Sequence, residues 1–168
     1  MIIQMGLSFL YHVRCLDKYG NIKWEELFHN LTTTEGVNSL GNVYFRAQTQ
    51  ITAWYVGLKQ AGTIAAGDTA ASHAGWSDFT GYSQSTRPAL TLAAFSGGGS
   101  DNSASKAEFT INASGTVAGA FIVSNSSKTG NTGVLYSVGD FSVNITSVNR
   151  LSWTFSAPEG RQFRMFPG

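Results

Sequence analysis

The sequence predicts an all-β fold: an antiparallel β-sandwich of immunoglobulin-like or jelly-roll-like type, with one short helix near residues 34–46. Three observations predict it. Apolar and polar residues alternate in short runs. Gly, Asn, Asp and Ser separate those runs. Only one stretch spaces its apolar residues at a helical period.

The first strand is expected over residues 7–16, where Phe9, Tyr11, Val13 and Cys15 share one face and Ser8, His12 and Arg14 lie on the other. Asp17–Asn21 follows as a short loop, with Gly20 where a left-handed residue is needed, as in a type I turn with a G1 bulge. Ile22–Glu25 then reads as the return strand of a hairpin. Thr32-Thr33-Thr34-Glu35 has the form of a capping box, in which a Thr hydroxyl covers an orphan amide and Glu35 reaches back. Val37, Leu40 and Tyr44 continue from it at helical spacing, and Gly36 and Gly41 each weaken the helix by about 1 kcal/mol relative to Ala. Such a helix is expected to need docking on a sheet.

Ile51–Leu58 is nearly continuous apolar, as a central strand covered on both faces would be. Residues 60–86 form a long irregular stretch anchored by Trp76, Phe79 and Tyr82. Pro88–Phe95 reads as a strand that begins at a proline. Lys106–Asn112 alternates, with Ala107, Phe109 and Ile111 inward, and Val117–Val123 is an apolar core strand. Val134–Phe141 and Leu151–Phe155 complete the set. Residues 1–157 are expected to form a single domain, and 158–168 a C-terminal tail that serves as an interaction arm or simply frays.

Composition bounds the function. Of 168 residues only 12% are charged, the net charge is +1, and Gly occurs 19 times. Uncharged polar residues do the solvating, which suits a protein packed against neighbours. The single cysteine, Cys15, excludes an intrachain disulfide and reads as a small buried hydrophobe. The apolar start has no basic n-region and no small-residue cleavage site, and His12 and Arg14 follow too soon for a membrane span, so neither export signal nor membrane contact is expected. Four Asn-x-Ser/Thr sequons are what a chain this rich in those residues carries by chance.

No reaction chemistry stands out. The three histidines show no metal-ligand spacing; Asp68, His73 and Asp78 are the best available set, and their spacing follows no known rule, so no metal site is expected. There is no nucleophile elbow, the acids are scattered, and Gly97-Gly98-Gly99 precedes neither a Lys-Ser/Thr pair nor a helix. Lys and Arg form no stripe, so nucleic acid is not an expected partner. No cofactor and no enzymatic activity are expected. Trp54, Tyr55, Trp76, Phe79 and Tyr82 are read either as a shelf on which sugars stack or as core residues that staple the long loop. Candidate partner contacts are Trp76, Phe79 and Tyr82 in that loop and Arg161, Phe163, Arg164 and Phe166 in the tail.

Several segments resemble a widespread family of small tailed-bacteriophage virion structural proteins. They include Cys15–Trp24, Asn30–Asn38, Ala53–Leu58, Gly67–Trp76, Thr86–Ala89, Asp101–Ala107, Ala120–Ser124 and Thr132–Tyr136. The likeness runs in order over most of residues 11–157; Met1–Leu10 and the tail after Ala157 depart from it. The resemblance implies a capsid decoration or cement protein that works by binding. Its partners would be the major capsid protein or other virion proteins, in a homo-oligomer on the capsid surface after assembly in the host cytoplasm. A tail or head–tail connector component is the alternative within this class. A carbohydrate-binding module on the particle surface is the alternative outside it.

Overall fold

The computed structural model describes residues 8–147 and 152–156 of the chain. Nine strands and one helix follow in the order β1 (Leu10–Leu16), β2 (Ile22–His29), β3 (Leu31–Thr32), α1 (Thr34–Arg46), β4 (Tyr55–Lys59), β5 (Asp78–Phe79), β6 (Ala107–Thr110), β7 (Gly115–Val123), β8 (Leu135–Ser147) and β9 (Ser152–Ser156) among the described residues. They form two antiparallel sheets. The four-stranded sheet runs β2-β1-β9-β6, and the five-stranded sheet runs β3-β8-β7-β4-β5. The protein is therefore mostly β with one short helix, as its alternation predicts.

Period-two alternation accounts for the first sheet. Tyr11, Val13 and Cys15 in β1 and Ala107 and Phe109 in β6 are buried, while Glu108 and Thr110 between them are exposed. The β1–β2 hairpin turns at Asp17–Asn21, where Gly20 has φ 87° and the register slips between Cys15 and Leu16. The Asp17 carboxylate accepts from the amides of Tyr19 (2.8 Å) and Asn21 (3.0 Å) and from the Asn21 side chain, which holds it below the usual carboxylate range. The return strand extends to His29, past the Ile22–Glu25 that sequence suggests.

The five-stranded sheet is buried on both faces, which explains its continuous apolar runs. On one face Val56, Leu58, Ala120 and Ile122 join Val13, Cys15 and Phe109 of the other sheet in one core. On the opposite face Phe121, Val123, Leu135 and Val138 pack with Ala70 and Trp76 from the stretch 60–86. That stretch is thus a cover for the sheet. Two glycines flatten the face beneath it. The Phe121 ring lies over Gly57, and the Lys59 stem lies over Gly119.

Three sequence expectations change here. Residues 51–54 are not strand: β7, the neighbour of β4, ends at Val123 opposite Tyr55 and does not extend beside them. Pro88–Phe95 is not a strand either. It touches β4 through Val56 N–H to the Pro88 carbonyl (2.9 Å) and Leu90 N–H to the Trp54 carbonyl (2.8 Å), then leaves: in an antiparallel pairing centred on Tyr55 and Ala89 the residues after Leu90 need 51–53 as partners, and those are not strand. The capping box is also replaced. Thr33, not Thr32, is the N-cap and accepts from the Gly36 amide at 3.0 Å, and Glu35 turns away from the helix. The expected strand at residue 7, the sharing of one face by Leu151, Trp153 and Phe155, and the tail 158–168 lie outside the described residues or side chains.

The helix docks through Gly36, which is buried where any Cβ would run into the Tyr136 backbone. Gly41 has nothing near its missing Cβ. Propensity alone favours Ala at both sites by about 1 kcal/mol. The two should therefore separate in urea denaturation: Gly41→Ala gains up to about 1 kcal/mol, and Gly36→Ala loses about 2 kcal/mol or more as the helix is pushed off β8.

Candidate functional site

The stretch 60–86 holds three of the candidate contact residues, Trp76, Phe79 and Tyr82, and the structure shows how it is held. A long segment over a sheet must satisfy its own polar groups. Four side chains do much of this. Glu35, in the first turn of α1, places one carboxylate oxygen on the amides of Ala70 (2.9 Å) and Leu135 (2.6 Å), joining helix, loop and β8. The Asp68 carboxylate accepts from the Ala65 amide and from the Trp76 indole N–H, both at 2.9 Å. Arg87, 3% exposed, donates to Asp78 (2.5 Å) and to the carbonyls of Asn125 (2.9 Å) and Gly130 (3.2 Å). It thereby binds the loop 124–133 to β5.

Lys59 is the fourth. Its register partner on β7 is Gly119, whose own partner on β8 is Asp140. The lysine stem crosses β7 over the bare glycine, so its ammonium reaches Asp140 in a short ion pair and donates to the Gly62 carbonyl at 3.2 Å. The lysine side chain has no exposed surface, whereas Asp140 is 41% exposed. The Trp76 ring stands 5.9 Å from the ammonium.

The predicted contact residues in this loop fall inside the protein. Trp76, Phe79 and Tyr82 are 5%, 5% and 2% exposed. Trp76 packs on Phe121 at 5.1 Å, and Tyr82 meets Phe109 edge-on at 5.0 Å. They staple the loop and present no shelf for a sugar or a partner; Trp54 and Tyr55 are half-buried. Arg161, Phe163, Arg164 and Phe166 lie outside the described residues.

An open cleft of about 580 Å³ lies between the loop and residues 129–131, lined by His73, Asp78, Thr80 and Asn131 among others. His73 Nε2 stands 3.7 Å from an Asp78 oxygen. Burial lifts the Asp78 carboxyl above its ordinary range, with Arg87 opposing. Asp68, the third of the suggested metal set, is already engaged with Trp76 and Ala65, and no three His, Cys, Asp or Glu side chains converge on a metal-sized site among the described residues. Cys15, buried, has its thiol pushed up by desolvation, which suppresses the reactive thiolate.

The exposed apolar groups are elsewhere. Tyr44 and Phe45, 78% and 60% exposed, stack edge-on at 5.2 Å where α1 ends in a left-handed Ala47. Tyr44 was expected on the docked face; the helix turns that face away after Leu40. Tyr19 (77%) and Ile22 (52%) mark the hairpin turn, and Leu27 (54%) lies on β2. The adjacent aromatic pair Tyr44-Phe45 is the sequence signal that would have found this patch, since one helix face cannot bury both. No helix among the described residues is long and apolar enough to cross a membrane.

Comparison with known proteins returns nothing: no family model, no curated protein and no solved structure matches the chain.

The Lys59–Asp140 pair should respond asymmetrically. Asp140→Ala leaves a charge with no exposed surface and should cost about 3–5 kcal/mol, while Lys59→Met leaves a carboxylate that water reaches and should cost about 1 kcal/mol or less. Chemical denaturation of the two variants checks the order.

Proposed function

We propose that this chain is a structural protein of a tailed-bacteriophage virion, a capsid decoration or cement protein that binds the major capsid protein lattice and stabilises the head. The observation that carries the reading is the pairing of a closed interior with exposed aromatics. Trp76, Phe79, Tyr82 and Arg87 are spent inside, and Tyr44 and Phe45 stand in solvent on a chain with only 12% charged residues. Exposed aromatic groups on a weakly charged surface suit adhesion. The sequence likeness over residues 11–157 supports the same class.

The two sheets around one core are read here as a β-sandwich of immunoglobulin-like or jelly-roll-like type. On this reading the domain is a stiff block that acts by shape, as a homo-oligomer, with no turnover and no cofactor. Weak contacts suffice, because repetition across the lattice multiplies them. The contact elements are the end of α1 and the hairpin turn at Tyr19, and the loop 60–86 keeps the block rigid.

Quantitative mass spectrometry of purified particles tests the reading: on the order of hundreds of copies per particle are expected, and about a dozen or fewer would move the protein to the tail or neck. Tyr44→Ser with Phe45→Ser should lower binding to capsids at least about tenfold, while Tm shifts by no more than about 2 °C because both side chains are exposed.

A further inference from the structure

The His73–Asp78 pair at the cleft has a feature that packing leaves unexplained. One Asp78 oxygen, Oδ2, is held by Arg87 at 2.5 Å. The other, Oδ1, is buried with no hydrogen-bond partner. A buried carboxylate oxygen in that state is costly and rare. His73 Nε2 stands 3.7 Å from it.

Whether that nitrogen can donate depends on one proton. His73 Nδ1 lies 3.0 Å from the Thr69 carbonyl. A carbonyl only accepts, so Nδ1 carries hydrogen, and in the neutral ring Nε2 is left with a lone pair. Lone pair then faces lone pair across the gap to Asp78. A second proton on the ring converts Nε2 into a charged donor aimed at Oδ1. A shift of under about 1 Å brings it to bonding distance.

We propose that His73 is an acid-set latch: its protonation ties the turn 69–76 to β5 through Asp78 and stiffens one wall of the cleft. The turn is already held through Thr69 and Ser72 (2.9 and 3.2 Å), through the Ala70 amide on Glu35 (2.9 Å) and through the Trp76 indole on Asp68 (2.9 Å), contacts that reach the helix and the loop, whereas a His73–Asp78 bond reaches β5. The ring is 22% exposed, so protons reach it from the cleft. Its charged surroundings are mixed. The Trp76 face, stacked on it at 4.2 Å, favours a cation, as do the carboxylates of Asp78 and of Asp68, which binds the Trp76 indole. Arg87 beyond Asp78, Lys59 beyond Trp76 and Lys128 over Tyr82 oppose one. Of these only Asp78 faces the ring nitrogen within 4 Å.

The sign is set by which state holds more protons. The folded protein binds the extra proton in a bonded position, so protection of the turn rises on acidification and declines as pH rises. The lower limit is the protonation of Asp78 itself, whose carboxyl burial has lifted. The latch is independent of the virion reading.

Hydrogen exchange of the amides of residues 69–78, corrected for intrinsic rates, tests it at about pH 8 and about pH 5.5 in the presence of a chelator. Protection is expected to rise about tenfold on acidification, with no comparable change in β7. His73→Gln should abolish the rise. Asp78→Asn should also abolish it, because a carboxamide donates to the neutral ring at every pH. If that variant fails to fold with Arg87 left unpaired, nitrogen NMR of the His73 ring in the native chain still decides. Protonated Nδ1 with bare Nε2 at high pH supports the latch, and the reverse tautomer overturns it. An undiminished rise in His73→Gln, or a rise seen only when zinc replaces the chelator, would also overturn it.

Discussion

The fold depends on a sheet that is buried on both faces. Strands β4, β7 and β8 send Val56, Leu58 and Ile122 toward the other sheet and Phe121, Val123 and Val138 the opposite way. The second set needs a cover, and the stretch 60–86 is that cover. An irregular cover brings polar backbone against apolar side chains, and every such group must be satisfied. Glu35, Asp68, Lys59 and Arg87 meet that requirement from within, and this is why so many of a small stock of charged residues are spent in the interior. Two glycines make the arrangement possible, Gly57 by admitting the Phe121 ring and Gly119 by admitting the lysine stem.

This economy shapes what the surface is able to do. With Trp76, Phe79 and Tyr82 occupied as staples, the aromatics most exposed to solvent among the described residues are Tyr44, Tyr19, Phe45 and Phe95. Tyr44 and Phe45 stand at the end of α1, and Tyr19 at the tip of the hairpin. None of these positions lies in the stretch 60–86.

Much of the architecture was legible in the order of residues. The alternation in β1 and β6, the hairpin with Gly20 at positive φ, and the helix over Thr34–Arg46 follow from local chemistry. The failures also have local causes. The run Ile51–Trp54 is apolar, yet its partner strand has already ended. Pro88–Phe95 looks like strand, yet the segment it would pair with beyond Leu90, residues 51–53, is itself not strand. Glu35 sits close to a capping position, and the amides of Ala70 and Leu135 compete for it successfully. Gly36 looks like a flaw in a helix and is its docking point.

The sequence by itself determined the hairpin, the helix and the two-faced burial of the central strands, because period-two alternation, capping chemistry and continuous apolar runs are properties of neighbouring residues. It also determined the poverty of charge and the lack of a recognisable catalytic motif. Only the tertiary structure decided which aromatics are staples and which are exposed, and how Lys59 spans β7 to reach Asp140. It alone brought His73 to face an unsatisfied oxygen of Asp78. Those outcomes depend on strand register and on which edges remain open. Both arise from pairings between segments far apart in the chain, and no local pattern encodes them.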